Sequence, residues 1–170
     1  MIKRILYSVI LIVLFPVAVW AQSKTTESLH KKNSEALALF FYNNTLRMLN
    51  QADDKDFDAL IKDIEKMKFL MIDKGQGFGP AQYKALVSDY KSESYEEIMT
   101  SRMNGRNFDV FLKDKNGKTE GMIVTVNDST SLYVLDIVGS IAINKVTKLF
   151  STLDESTDIG KKIKSFAKKD

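Results

Sequence analysis

The sequence predicts an α+β fold in which about four helices pack on a four- to five-stranded, mostly antiparallel sheet. From Tyr95 onward, apolar and polar residues alternate over short segments, which is the period of a strand. Asn104-Gly105 and Asn116-Gly117 separate these segments. Asn-Gly favours a two-residue hairpin turn because both central residues need positive φ. Upstream of Tyr95, apolar residues recur at intervals of three and four, as in amphipathic helices.

The N-terminal segment has the order of a secretory signal peptide. Residues 1–4 (MIKR) carry two positive charges, residues 5–20 are almost entirely apolar, and Val19-Trp20-Ala21 resembles a signal-peptidase site. An uncleaved membrane anchor is the alternative, but the run is shorter than the roughly 20 residues of a membrane span. The chain has no cysteine to carry a lipid. Residues 1–21 are therefore predicted to be removed, and the protein is expected to be periplasmic or extracellular and not a lipoprotein.

Charge and length limit the function of the remaining chain. Removal of the signal peptide takes away Lys3 and Arg4. It leaves 23 basic and 22 acidic residues, a formal charge of +1. Nucleic-acid binding needs a strongly basic surface, so we expect no nucleic-acid partner. A chain of this length buries about two-thirds of its surface in one domain, without disulfides.

The elements follow in order along the chain. Residues 22–33 are polar and predict a loose leader. A first helix is predicted over 34–51, with apolar residues on two sides, and a second helix begins near Asp53. A strand over 68–73 and a third helix around Tyr83 come next. Four strands then form a meander, and Asn144 caps a last helix before a lysine-rich tail. The meander is predicted at 95–103, 106–114, 119–127 and 130–138, the single domain at 34–153, and the tail at 154–170.

Glycines at 75, 77 and 79 join the predicted strand 68–73 to the third helix. Their spacing, GxGxG, does not meet the dinucleotide-binding pattern GxGxxG, and no Gly-Lys-Ser/Thr follows. A phosphate at the start of the helix would accept hydrogen bonds from backbone N–H groups there, and Pro80 has no N–H. The loop is therefore predicted to make a tight turn rather than to cradle a phosphate.

The side chains that usually carry out catalysis are scarce. His30 is the one histidine, it lies in the polar leader, and there is no cysteine. Ser or Cys nucleophiles need a positioned base, and zinc favours Cys and His ligands, so neither chemistry is expected. Carboxylates at Glu96, Glu97 and Asp136 are interpreted as sheet-surface residues. The methionines are interpreted as core filler, not as a Cu(I) site. We therefore expect no metal or organic cofactor and favour a non-enzymatic protein.

The segment from about Asp56 to Leu153 resembles a known protein family. "FLMID", "YEEIM", "NFDVFLKDKNGKTEGMIVTV" and "VGSIAINKVTKLF" carry the resemblance, which is to the domain-of-unknown-function family 4252 (DUF4252) of small exported envelope proteins. The resemblance implies an α+β fold with an antiparallel sheet and an exported location. It assigns no catalytic or binding residue.

Two-residue turns would fix the strand register, pairing Met99 with Val110, Phe111 with Met122, and Met122 with Leu135. Both faces of the sheet would then be apolar in the middle, so something must cover each face. The first helix is one candidate for the second face. A protein partner, a second copy of the chain or an apolar ligand are the others. The candidate contact surface on that face comprises Phe111, Met122, Val124, Tyr133 and Leu135.

Three functions remain open from the sequence. The leading hypothesis is an uncharacterised, non-enzymatic envelope protein that acts by a protein or ligand contact through the apolar sheet face. The first alternative is a carrier of a small apolar molecule held between sheet and helices. The second is a hydrolase that uses carboxylates alone.

The signal-peptide prediction has a direct test. The intact mass of the exported protein should correspond to a chain that begins at Gln22, because cleavage is expected after Ala21. A mature protein that retains Met1 and remains with the membrane fraction would contradict this prediction.

Overall fold

The computed structural model describes residues 22–50, 53, 55–75, 77–103, 105–141 and 145. The predicted signal peptide and the tail 154–170 lie outside these residues. So does the last helix predicted from Asn144, except for Lys145. These three assignments stay predictions.

Six strands form one antiparallel sheet in the order β1-β2-β6-β5-β4-β3. The predicted α+β class with an antiparallel sheet is confirmed, but the sheet has six strands rather than four to five. The meander β3–β6 agrees with its predicted bounds to within one residue. The strands are β1 Leu37–Tyr42, β2 Ile64–Asp73, β3 Glu96–Met103, β4 Arg106–Lys115, β5 Lys118–Asn127 and β6 Ser131–Gly139.

The helix predicted over 34–51 is wrong in its first half. Residues 37–42 form β1, which pairs with β2 along its whole length, and helix begins only at Asn43. An apolar segment with two apolar sides suits a strand of a sheet covered on both faces as well as a helix, and the sequence alone does not separate them. The helices in the described residues are α1 Lys24–Lys32, α2 Asn43–Leu49, α3 Lys55–Ile61 and α4 Pro80–Ser92.

The polar segment 22–33 is an ordered helix, not a loose leader. The Ser23 hydroxyl accepts a hydrogen bond from the Thr26 N–H and caps α1, and His30, Lys31 and Lys32 occupy its last turn. Basic residues there interact favourably with the helix dipole. The sequence did not predict this helix because the segment is polar. Most of its contacts with the rest of the protein are hydrogen bonds and an ion pair.

Helices cover both faces of the sheet. On the face here called the α1–α4 face, helices α1 and α4 pack through Leu29, Leu86 and Tyr90. On the opposite, α2–α3 face, Leu46 and Phe57 lie in the core, so the helical part of the predicted first helix does help to cover the second face. Buried strand residues of the α1–α4 face are Leu70, Ile72, Phe111, Ile123, Leu132 and Val134. Those of the α2–α3 face are Met67, Val110, Met122, Val124, Leu135 and Ile137.

Two bulges alter the predicted register. Met99 pairs with Val110 as predicted, but the register shifts between Glu97 and Met99. A second shift lies between Lys113 and Asp114, so Phe111 pairs with Ile123 and not with Met122. A one-residue shift exchanges the faces of a strand, which places Phe111 on the α1–α4 face. An extra strand residue is a local adjustment of twist that a turn signal does not predict.

The third turn lies one residue later than predicted. The Asp128 carboxylate accepts hydrogen bonds from the N–H groups of Thr130 and Ser131, at 2.8 and 2.7 Å. This side-chain turn places Ser129 and Thr130 at its tip. Met122 therefore pairs with Ile137 instead of Leu135. A shift of two residues preserves the faces, so Met122 and Leu135 still share one.

At the end of β6, the backbone of Gly139 lies very close to the residue that precedes β2. Gly139 has φ of +109°, and a Cβ there would lie 2.2 Å from the backbone oxygen of Asp63. Gly139→Ala should therefore destabilise the protein by about 2–4 kcal/mol, through backbone strain and a clash that a flexible side chain cannot relieve. Urea unfolding measures the loss.

Gly77→Ala is the matched control, because a Cβ at Gly77 would have no neighbour within 4 Å. It should change the free energy of unfolding by less than about 0.5 kcal/mol. Equal losses for both variants would contradict the close approach at Gly139.

Candidate functional site

The outer side of β1 is the most exposed apolar region of the described structure. β1 pairs with β2 on one side only, and no described strand lies on the other. Phe40 is 49% exposed and Tyr42 is 61% exposed, while Met48 in the following α2 is 76% exposed. Residues 36–46 contain no charged side chain. We call the outer side of residues 37–42 the open edge.

The opposite edge of the sheet, β3, differs in each of these respects. It carries Glu96, Glu97 and Arg102, all exposed, and a bulge interrupts its pairing with β4. Charges and bulges at an edge discourage the addition of another strand. β1 has no charge, and its pairing with β2 runs without a register shift. Of the two edges, β1 is therefore the one better suited to the addition of an apolar strand.

An ion pair between a buried lysine and a partly exposed glutamate holds α1 against the sheet next to the open edge. Lys68 of β2 has a fully buried side chain, and its Nζ lies 2.8 Å from Oε1 of Glu27 in α1. The same ammonium lies 4.9 Å from the ring centroid of Phe40. A buried charge without a partner is costly, so Lys68 requires α1 to stay in this position.

Asp136 of β6 lies beside Lys68, since the two residues are paired across the sheet. The Ser23 N–H donates to its Oδ2 at 3.0 Å, whereas Oδ1 is buried and has no hydrogen-bond partner. Burial raises the pKa of Asp136 to about 7, against the opposing effects of Thr26, Ser23 and Lys68. Its interpretation as a sheet-surface residue was wrong, because Asp136 is fully buried.

Further polar contacts fasten the start of α1. Glu93 accepts hydrogen bonds from the N–H groups of Lys24 and Thr25 and from the Ser23 hydroxyl. A carboxylate is well placed there because the N-terminal N–H groups of a helix lack partners and the dipole favours negative charge. The Thr26 hydroxyl lies 3.1 Å from the hydroxyl of Tyr90, whose pKa is raised by burial. We call Glu27, Lys68, Glu93 and Asp136, with their partners in α1, the polar cluster.

The polar cluster and the open edge meet at Phe40. The ring of Phe40 contacts the Lys68 ammonium and lies 6.1 Å, centroid to centroid, from the ring of His30 in α1. Helix α1 thus covers one side of the Phe40 ring and leaves the outer side exposed. Glu27, Glu93 and one oxygen of Asp136 are engaged in holding α1, while the outer side of Phe40 is open to contact with another chain.

A second polar group lies below α4, at the other end of the same sheet face. Asp109 is 5% exposed and accepts hydrogen bonds from the hydroxyls of Tyr83 and Thr100. Tyr83 also lies 2.7 Å from the Thr125 hydroxyl. Burial, with the Asp109 bond, raises the pKa of Tyr83, so the phenol stays a donor. An open cleft of about 800 Å³ lies above this network.

The glycine loop is tied to the protein by its own contacts. The Gly79 N–H donates to Oε1 of Gln82 at 2.9 Å, and Lys74 donates from its backbone to Thr130 and from its side chain to the Asp128 carbonyl. Gly75 and Gly77 line an open cleft of about 460 Å³ between α1 and α4. These contacts agree with a loop that makes a tight turn.

Four of the five residues of the predicted contact surface lie in the core. Phe111, Met122, Val124 and Leu135 are at most 1% exposed, and Phe111 faces the opposite side of the sheet from the other three. Tyr133 is partly exposed and lies 6.3 Å from Phe69, ring to ring. A partner could reach Tyr133 but not the other four residues without opening the core.

Two features of the site were missed in the sequence. Lys68 and Asp136 occupy inward positions of strands whose other inward residues are apolar, such as Leu70 and Val134. A charge that interrupts an apolar alternation is the signal that would have identified them. β1 gave no such signal, since it was interpreted as helix.

In the part of the chain that the structure describes, no group of three or more His, Asp or Glu side chains is arranged to hold a metal ion. No helix among those residues is long and apolar enough to cross a membrane.

A family model described as "Domain of unknown function (DUF4252)" matches residues 30–149. No curated protein and no solved structure matches the chain.

The polar cluster predicts how stability depends on pH. The folded protein holds a proton on Asp136 up to about pH 7, whereas the unfolded chain releases it near its ordinary pKa of 3.8. The free energy of unfolding should therefore fall as the pH rises between these two values and stay constant above the higher one. Between about pH 5 and pH 8 the fall should be on the order of 2 kcal/mol. Asp136→Asn should remove this fall and be more stable than the wild type at the higher pH.

Urea unfolding at both pH values measures the effect. Asp89→Asn, at an exposed position of α4, is the control and should keep the wild-type pH dependence. An Asp136→Asn variant that keeps it as well would contradict the assignment to Asp136.

Proposed function

We propose, from the premise that the chain belongs to the DUF4252 family, that it is an exported, non-enzymatic envelope protein that binds another protein along its open edge. The description of the family names no activity. The observation that carries it is the exposure of Phe40 and Tyr42 on an edge strand without charge.

Strand addition is the mode of binding that this edge supports. An added strand gains hydrogen bonds from the outer backbone groups of β1, and its alternate side chains contact the two faces. Phe40 and Tyr42 offer large apolar surfaces on one face, and Leu39 adjoins the core on the other. Aromatic side chains of this kind dominate the energy of many protein interfaces.

The proposed contact lies at the edge of the sheet, whereas the contact predicted from the sequence lies on its face. Met122, Val124 and Leu135 are covered by helices in the folded chain. Binding there would require the helices to leave, whereas binding at β1 requires no rearrangement of the described residues.

Two observations support an exported, non-enzymatic protein. The apolar run 5–20 with its cleavage signal supports export. The two buried carboxylates bond to groups of the fold itself, Asp109 to the hydroxyls of Tyr83 and Thr100 and Asp136 to the Ser23 N–H, which gives little support to the carboxylate-only hydrolase.

The carrier hypothesis stays the alternative. The clefts of about 460 and 800 Å³ lie within the size range of ligand sites. Both are open to solvent, and a carrier of an apolar molecule needs an enclosed apolar cavity. The open edge is therefore the better-supported site.

Photocrosslinking in the cells that produce the protein tests the function. A photoreactive phenylalanine analogue at position 42 should form a covalent product with another polypeptide, because Tyr42 is the most exposed residue of the open edge. The same analogue at position 98 is the control, since Ile98 is 39% exposed on β3, the other edge.

The product is detected as a band of higher mass on a denaturing gel. A product at position 42 and none at position 98 is the expected result. No product at position 42, or equal amounts at both positions, would contradict contact through the open edge.

A further inference from the structure

We infer that the strand bound at the open edge is β1 of a second copy of this chain, paired antiparallel so that the two sheets become continuous. This inference rests on the proposed function and names its partner.

An added strand must be apolar toward both faces of the sheet. On one side it meets Leu39 and Phe41, which belong to the core of the α2–α3 face, and on the other it meets Ala38, which packs with the α1–α4 core. It must also be free of charge, because residues 36–46 offer no opposite charge to pair with it. β1 itself has this pattern, whereas β3 carries Glu96, Glu97 and Arg102.

Symmetry limits the register of such a pair. Two identical edge strands pair antiparallel about a two-fold axis perpendicular to the sheet, so both copies present the same face to the same side. Directly opposed residues must share a face, and side chains alternate along a strand. The axis must therefore lie midway between two copies of the same residue. Near the centre of β1, that residue is either Phe40 or Leu39.

Exposure decides between these two registers. With the axis at Phe40, Tyr42 lies opposite Ala38 of the other copy, so a large side chain meets a small one. With the axis at Leu39, Tyr42 would lie opposite Ala36, which is outside β1. The first register covers both exposed aromatic residues of the strand, and we assign it on that ground.

The oligomeric state of the purified mature protein tests the inference. Sedimentation velocity should show a dimer, and Tyr42→Lys should raise the dissociation constant at least about tenfold, because a lysine would face an apolar strand across the interface. Ile98→Lys, an apolar-to-lysine change at an exposed position of the other edge, should leave the dissociation constant unchanged. Circular dichroism should show both variants folded, since both side chains are exposed.

Single-cysteine variants test the register. The chain contains no cysteine, so a disulfide in Phe40→Cys forms only between two copies. Directly opposed strand residues have Cα atoms about 4.5–5.5 Å apart, which a disulfide spans. Mild oxidation should link most of the Phe40→Cys protein into dimers, and Ile98→Cys should remain unlinked.

The outcomes separate this inference from the proposed function. A wild type that remains monomeric at about 100 μM, far above a micromolar affinity, would overturn the second copy as partner. If the crosslinked product at position 42 then has a mass other than twice that of the chain, the proposed function still stands with a different partner. A dimer that Tyr42→Lys leaves intact, or Ile98→Cys linking as readily as Phe40→Cys, would also overturn the inference.

Discussion

The buried ammonium of Lys68 is the constraint on which the arrangement around β1 depends. A lysine in the interior of a sheet is tolerated only with partners, and Glu27 of α1 and the ring of Phe40 supply them. Removing α1 would leave Lys68 without the Glu27 carboxylate and Asp136 without the Ser23 N–H. The position of α1, the cover of one sheet face and the orientation of Phe40 are therefore coupled through one side chain.

This coupling also explains why α1 is polar. Thr26 and Leu29 are its buried residues together with the capping Ser23, which is little apolar surface for a helix that covers a sheet. One ion pair, between Glu27 and Lys68, the Ser23 cap and the hydrogen bonds to Glu93 and Asp136 carry the rest of the attachment. Such polar contacts add less stability than an apolar interface of equal size, but they favour one orientation, because each partner must be met in the correct geometry.

The parts of the fold that the sequence predicts are those determined locally. Gly105 and Gly117 have the positive φ that their turns require, with φ of +77° and +74°, and the four strands they help to define were predicted correctly. β1 and α1 were not predicted because their partners are distant in the chain. Phe40 lies opposite Lys68, and Ser23 bonds to Asp136, 113 residues away. Of the functional features, the apolar character of both sheet faces was predicted. The position of the exposed apolar side chains was not predicted, because it depends on which strand lies at the edge of the sheet.

The difference between the two edges limits how far an assembly can grow. Pairing of two β1 strands would use both open edges and leave a β3 edge at each end of the joined sheet. Those edges carry Glu96, Glu97 and a bulge, which discourage further addition. β1 is also only six residues long and is followed directly by α2, so the chain leaves the sheet at Asn43. An edge of this length accepts a strand of defined extent, and the symmetry that covers it also closes the assembly at two copies.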